Sequence, residues 1–183
     1  MKTDLSTYDN SWYRTGAGPI KRGFWYVVNA LVFQSYLFPL RCLKVALLRL
    51  FGAQVAEGVV IKPSVNIKYP WNLRVGPHTW IGEKVWIDNL ASVQIGGHVC
   101  LSQGCMLLTG NHNYKKPGFD LIVSPITLED GVWIGAKSLV CPGITCHSHA
   151  VLSAQSVATG NLEAYSVYGG NPALKIRPRF IDQ

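Results

Sequence analysis

Acidic residues are scarce in this 183-residue chain: ten Asp and Glu stand against seventeen Lys and Arg, giving a formal net charge of +7. Charged residues of either sign make up only 15% while 48% are hydrophobic, a balance that excludes general disorder. No CxxC pair occurs, and five cysteines (Cys42, Cys100, Cys105, Cys141, Cys146) are an odd number for a disulfide framework. Buried, reduced thiols are expected instead, as in a cytoplasmic protein. No leader with a small-residue cleavage site opens the chain, and no apolar run reaches the roughly 20 residues that cross a bilayer. The basic residues are scattered without interleaved aromatics, so nucleic-acid binding is not expected. The surplus of cations suits a polyanionic small ligand or an acidic membrane face.

What is plentiful is turn chemistry, with eighteen glycines and ten prolines. Three zones follow. Residues 1–52 form an N-terminal arm, broken at Gly16, Gly18 and Pro19, and then an apolar helical segment. Pro39 divides that segment into two helices, because proline removes a helical donor. The second helix sets Arg41, Lys44 and Arg49 as a basic face beside Leu40, Leu43, Leu47, Leu48 and Leu50. Residues 23–52 are expected to cap the open end of the next domain, with peripheral contact at the inner membrane face as a secondary outcome.

Residues 53–163 repeat with a period of six. Aliphatic residues recur at Val55, Ile61 and Ile67, at Val75, Ile81 and Ile87, at Ile95, Leu101 and Leu107, and from Leu128 through Ile134, Val140 and Cys146 to Leu152. Small or β-branched residues follow four positions later, as at Val59, Val65, Thr79, Ala91, Val99 and Ser138. A period of six is neither helical nor alternating. It is explained if each unit is a short strand plus a corner and three units close a triangular coil, with Gly residues such as Gly76 and Gly135 letting the corners turn. About five coils are expected, followed by a C-terminal extension over residues 164–183. The register breaks once, between Leu107 and Leu128, leaving an inserted loop over residues 109–125. Solenoids tolerate insertions where these leave the coil, and such loops commonly form sites. The loop holds one histidine, His112, whose imidazole has the basicity to take a proton from a hydroxyl near neutral pH.

The repeats, Leu108-Thr109-Gly110-Asn111-His112-Asn113-Tyr114, Val132-Trp133-Ile134-Gly135-Ala136 and the terminal Gly170–Arg179 stretch resemble those of the hexapeptide-repeat acyltransferases. Within that family they resemble the maltose, galactoside, nodulation-factor and colanic acid O-acetyltransferases. The resemblance implies a left-handed parallel β-helix and a homotrimer with three sites in the clefts between subunits. It further implies acetyl-CoA as donor with no metal, and a hydroxyl of a sugar or polysaccharide precursor as acceptor. His112 would be the general base and the Ala136 N–H the oxyanion donor. Trp133, Gly135, Ala136, Ala154 and Thr159 would line the coenzyme cleft, though Trp133 is equally readable as an outer-face aromatic. The family often has Lys where Gly160 stands here, so the coenzyme phosphates would fall to Lys175, Arg177 and Arg179. Asp88, with Asn89 as the second candidate, would bind acceptor hydroxyls.

Three other readings remain open. One is an N-acetyltransferase acting on an amino sugar. Another is a non-catalytic β-helix scaffold. The third is a zinc enzyme like the γ-class carbonic anhydrases, which needs three converging histidines. His78, His98, His112, His147 and His149 lack that class's spacing.

Overall fold

The computed structural model describes residues 2–38 and 40–182. From Gln54 onward the chain winds as a mainly β solenoid with three parallel sheets as its sides. Sheet A takes Gln54–Val55, Leu73–Val75, Val93–Ile95, Ile126–Leu128 and Thr145–Cys146. Sheet B takes Val60–Ile61, Trp80–Ile81, Cys100–Leu101, Trp133–Ile134, Val151–Leu152 and Ser166–Gly170. Sheet C takes Asn66–Ile67, Trp86–Asp88, Met106–Leu108, Leu139–Val140 and Val157–Ala158. The six-residue period sets the register directly, since Ile61, Ile81, Leu101, Ile134 and Leu152 are successive partners along sheet B. Every aliphatic-ladder position from Val55 to Leu152 is buried, so the ladders form the core.

Five coils are complete, and a sixth is begun where Leu162 bridges Cys146 and Val167 pairs with Val151. The last strand, Ala173–Pro178, folds back antiparallel on Ser166–Gly170 and closes that end of sheet B.

The corners differ from expectation in one respect. Gly76 and Gly135 do not supply the left-handed turn; Ser64, His78, Lys84, Lys137 and others take the positive φ. Their role is close approach. A Cβ on Gly135 would lie 2.5 Å from the Ala154 nitrogen, and one on Gly76 2.4 Å from the Gly96 carbonyl carbon.

Helices α1 (Pro19–Val28, continued by a π-turn over Asn29–Phe33) and α2 (Arg41–Leu50) cover the open end of the first coil. The expected break at Pro39 lies outside the described residues. Trp25, Phe33 and Leu48 are buried there. On each side of the first coil a backbone carbonyl accepts from a side chain of the cap. Arg49 donates to the Val55 carbonyl on sheet A at 2.7 Å, Lys44 to the Lys62 carbonyl beside sheet B at 3.0 Å, and Trp25 Nε1–H to the Ile67 carbonyl on sheet C at 2.8 Å. These carbonyls would otherwise be the unpaired edge of the solenoid. Lys44 and Arg49 therefore do not form an outward basic face as expected; they turn inward to bind backbone, and burial pushes the Lys44 ammonium below its ordinary value.

The cysteines are free, but only Cys105 and Cys146 are buried; Cys42 is exposed, and Cys100 and Cys141 are half-buried. Burial pushes the Cys105 and Cys146 thiols up to about 12, so neither is a nucleophile at neutral pH.

Candidate active site

Extra residues collect at one corner, where the chain passes from sheet C to sheet A. The first two coils hold a 3₁₀ turn, Pro70–Asn72, and the segment Asn89–Ser92 there; the third holds the loop 109–125. The loop is a hairpin, Gly110–His112 against Leu121–Val123. At its base the Ser124 N–H donates to the Thr109 carbonyl at 2.9 Å.

His112 sits half-buried at the end of the first hairpin strand. Its Nδ1 lies 2.9 Å from the Phe119 carbonyl oxygen, and its ring stacks on the Phe119 ring at 4.4 Å and 9°. A carbonyl only accepts, so Nδ1 carries the proton and Nε2 is the basic nitrogen. Phe119 holds this place at φ 54, in the left-handed region. The N-terminal arm buttresses the loop: the Asp4 N–H donates to the Pro117 carbonyl at 2.9 Å, and the Tyr8 ring lies 5.9 Å from the His112 ring. Farther along, Tyr13 Oη–H donates to the Leu90 carbonyl at 2.8 Å, and burial raises that phenol to about 12.

Asp88 ends its strand directly under the loop. Its carbonyl accepts from Thr109 Oγ1 at 2.7 Å, and a Cβ on Gly110 would stand 3.9 Å from Asp88 Oδ2. Lys68 Nζ lies 2.9 Å from Asp88 Oδ1 as a counter-charge, yet that buried oxygen has no aligned hydrogen bond among the described residues. Its charge is balanced while a lone pair stays without an aligned donor, so this atom is suited to a ligand hydroxyl. The carboxylate faces a cleft of about 460 Å³ between α1 and sheet C, where Arg22, Tyr26, Lys68, Tyr69 and Trp86 also line the wall. Asn89 is not in this cleft. It is fully buried, accepting from the Tyr69 N–H at 2.8 Å and donating to the Tyr69 carbonyl at 2.6 Å, and so clasps two coils together.

A second cleft, about 570 Å³, lies at the corner between sheets B and C. It brings together Trp133, Gly135, Ala136, Ala154 and Arg177. Trp133 is 47% exposed and its Nε1–H donates to Ser102 Oγ at 2.9 Å, which fixes the indole as a wall. The backbone N–H groups of Ala136 and Ala154 have no acceptor among the described residues, so both are free to donate to a ligand. Thr159 is exposed at a different corner, after the last strand of sheet C.

The expected cationic rim is also reduced. Lys175 pairs with Glu163 outside the cleft, which raises the ammonium's value, and Arg179 Nη1 is held at 3.0 Å by both the Gly131 and His149 carbonyls. Arg177 is the cation left for a phosphate. Among the described residues no three His, Cys, Asp or Glu side chains converge to hold a metal ion.

Sequence reasoning named His112, Asp88 and the Ala136 turn as candidates. It missed Phe119, the Tyr8 contact, Lys68 and the whole α1 cleft. The register break was the signal for His112, whereas the partners reach it from 7 to 104 residues away.

No family model matches the chain. It is 36% identical over 176 residues to WcaF of Escherichia coli strain K12, provisionally named a colanic acid biosynthesis acetyltransferase, covering 96% of this chain and 97% of that protein. It is 29% identical to the galactoside O-acetyltransferase of the same organism, over 72% of this chain and 66% of that protein. Among solved structures, a hexapeptide-repeat acetyltransferase of Vibrio cholerae complexed with acetyl coenzyme A superimposes with a TM-score of 0.79 at 25% identity, covering 88% of each chain.

Proposed function

This chain belongs to the hexapeptide-repeat acetyltransferase family, and on that premise we propose that it moves an acetyl group from acetyl-CoA to a hydroxyl of a sugar or polysaccharide precursor, with His112 as the general base. The observation that carries the base assignment is the Phe119 carbonyl on Nδ1, which leaves Nε2 as the unprotonated nitrogen. The acceptor hydroxyl loses its proton to Nε2 as its oxygen attacks the thioester carbonyl. The new C–O bond forms, the C–S bond breaks, and the imidazolium returns the proton to the departing thiolate. The Ala136 N–H, which lines the donor cleft, would donate to the oxyanion of the tetrahedral intermediate.

The α1 cleft suits the acceptor. Asp88 would accept sugar hydroxyls, and Trp86 and Tyr26 would pack against a pyranose face. The donor cleft would take the pantetheine arm on the Ala136 and Ala154 N–H groups, with Arg177 near the phosphates.

The two clefts lie on different edges of the prism. The His112 loop leaves at the C–A corner and the Ala136 turn at the B–C corner, so sheet C separates them within one protomer. That separation supports a trimer whose neighbouring subunits bring the two halves together.

The test is release of coenzyme A thiol from acetyl-CoA against a panel of sugar acceptors, with mass spectrometry of the product. His112→Ala should lower turnover by about 10²–10⁴-fold while coenzyme A binding persists. A variant that kept wild-type turnover at neutral pH would remove His112 as the base.

A further inference from the structure

Helix α1 carries two apolar stripes where packing on the coil requires one. The inner stripe runs from Trp25 to Phe33 and is buried. The outer stripe is Ile20, Phe24, Val27 and Leu31, spaced four, three and four residues apart and therefore on one helical face. These side chains are 75%, 66%, 52% and 61% exposed. Helix α2 repeats the arrangement. Lys44 and Leu48 face the coil with Leu47 packed beside them, while Leu40, Leu43 and Leu50 are 62%, 37% and 77% exposed. Leu37, between the two helices, is 83% exposed.

The charge around these stripes has one sign. No acidic residue occurs between Asp9 and Glu57, whereas Arg14, Lys21, Arg22 and Arg41 are all exposed there. Exposed apolar stripes flanked by cations match the headgroup and upper acyl layer of an anionic bilayer. A two-fold contact with a second copy of this chain is a poorer occupant, because it would set these cations against their own copies with no anion between them. Among the described residues no helix is long and apolar enough to cross a membrane, so the contact is one of lying on the surface.

We propose that α1 and α2 form a peripheral docking surface for an anionic phospholipid bilayer, in addition to capping the coil. The α1 cleft opens along the same helix, so docking sets that cleft beside the lipid surface. The docking inference itself does not depend on the reading of the site, because it is measured with no substrate present.

The experiment is co-sedimentation of the full chain with sucrose-loaded vesicles of phosphatidylglycerol and phosphatidylcholine, against phosphatidylcholine alone. Binding to the anionic vesicles is expected, weakening as salt is raised from about 0.1 M to about 0.5 M because the Debye length shortens. The variant Phe24→Gln, Leu31→Gln, Leu37→Gln, Leu50→Gln should bind at least about 100-fold more weakly, with an unchanged melting temperature and oligomeric state. Arg41→Glu, which touches no core contact, should weaken binding about tenfold by itself. Failure of the wild-type chain to sediment with anionic vesicles would overturn the proposal. So would equal binding to neutral vesicles, or a quadruple variant that loses its oligomeric state, which would assign the stripes to an interface between copies. Loss of acetyl transfer with vesicle binding retained would count against the proposed function alone.

Discussion

Two corners of the prism do the same backbone task with very different freedom. At the corner from sheet A to sheet B every coil advances by six residues, and each turn places one residue in the left-handed region. Gly58, His78, His98, Gly131, His149 and Tyr165 take that place with φ between 50 and 70. The stack is tight. His78 and His98 lie 5.2 Å apart, and a Cβ on Gly131 would come within 2.1 Å of His149 Nδ1. At the corner from sheet C to sheet A, successive coils advance by eight, eight, twenty-one and six residues. The corner that is free to vary is the one that holds His112 and lies over Asp88. The A–B corner is uniform and tightly stacked, and the C–A corner is the one with room for the candidate base.

That contrast can be broken by moving the strain. Gly76→Ala, in a regular A–B turn, drives a Cβ against the Gly96 and Gly97 backbone and should destabilise the protein by about 3 kcal/mol or more, read as a fall in the urea midpoint. Two glycines inserted between Lys115 and Lys116, in the irregular corner, should cost less than about 1 kcal/mol, because lengthening an exposed loop adds little closure entropy. Equal effects from the two changes would erase the distinction between the corners.

A smaller effect sharpens the contrast from the capped end. Burial holds Lys44 below its ordinary value of 10.5, so between that lowered value and 10.5 the unfolded chain binds more protons at this group than the folded one. The contribution of Lys44 to stability therefore rises with pH through that window. The urea midpoint of the wild type relative to Lys44→Met should move in favour of the wild type as pH is raised from about 8 toward 10.5. A difference that stayed flat or moved the other way would mean that Lys44 is not held desolvated on the Lys62 carbonyl.

The parallel solenoid was legible because a six-residue period constrains every coil alike, and each ladder residue from Val55 to Leu152 meets the same test. His112 was legible for the opposite reason, as the histidine inside the one long failure of that period. Phe119 and Tyr8 were not, since a carbonyl and a tilted ring contribute no pattern along the chain. Lys44 and Arg49 misled because a basic residue in an amphipathic helix ordinarily faces water, and nothing local reveals three orphan carbonyls waiting on the first coil. Asn89 looked like a second acceptor ligand because it adjoins Asp88, yet adjacent residues at a strand end point to opposite sides. The sixth coil escaped because Leu162 falls four residues, not six, after Ala158.

The central claim is that the base and the oxyanion donor which act together belong to different subunits. Ala136→Pro deletes the N–H at a turn position the chain already fills with proline at Pro63, Pro77 and Pro142, each just before a residue of positive φ, so the fold is expected to tolerate it. His112→Ala and Ala136→Pro chains should each be inactive alone. Co-refolded at equal concentration, random assortment into trimers leaves about one site in four with both groups intact, and activity should recover toward that fraction of wild type. Mixed trimers that form, as shown by native mass spectrometry, but stay inactive would place both groups of each site in a single subunit and contradict the account.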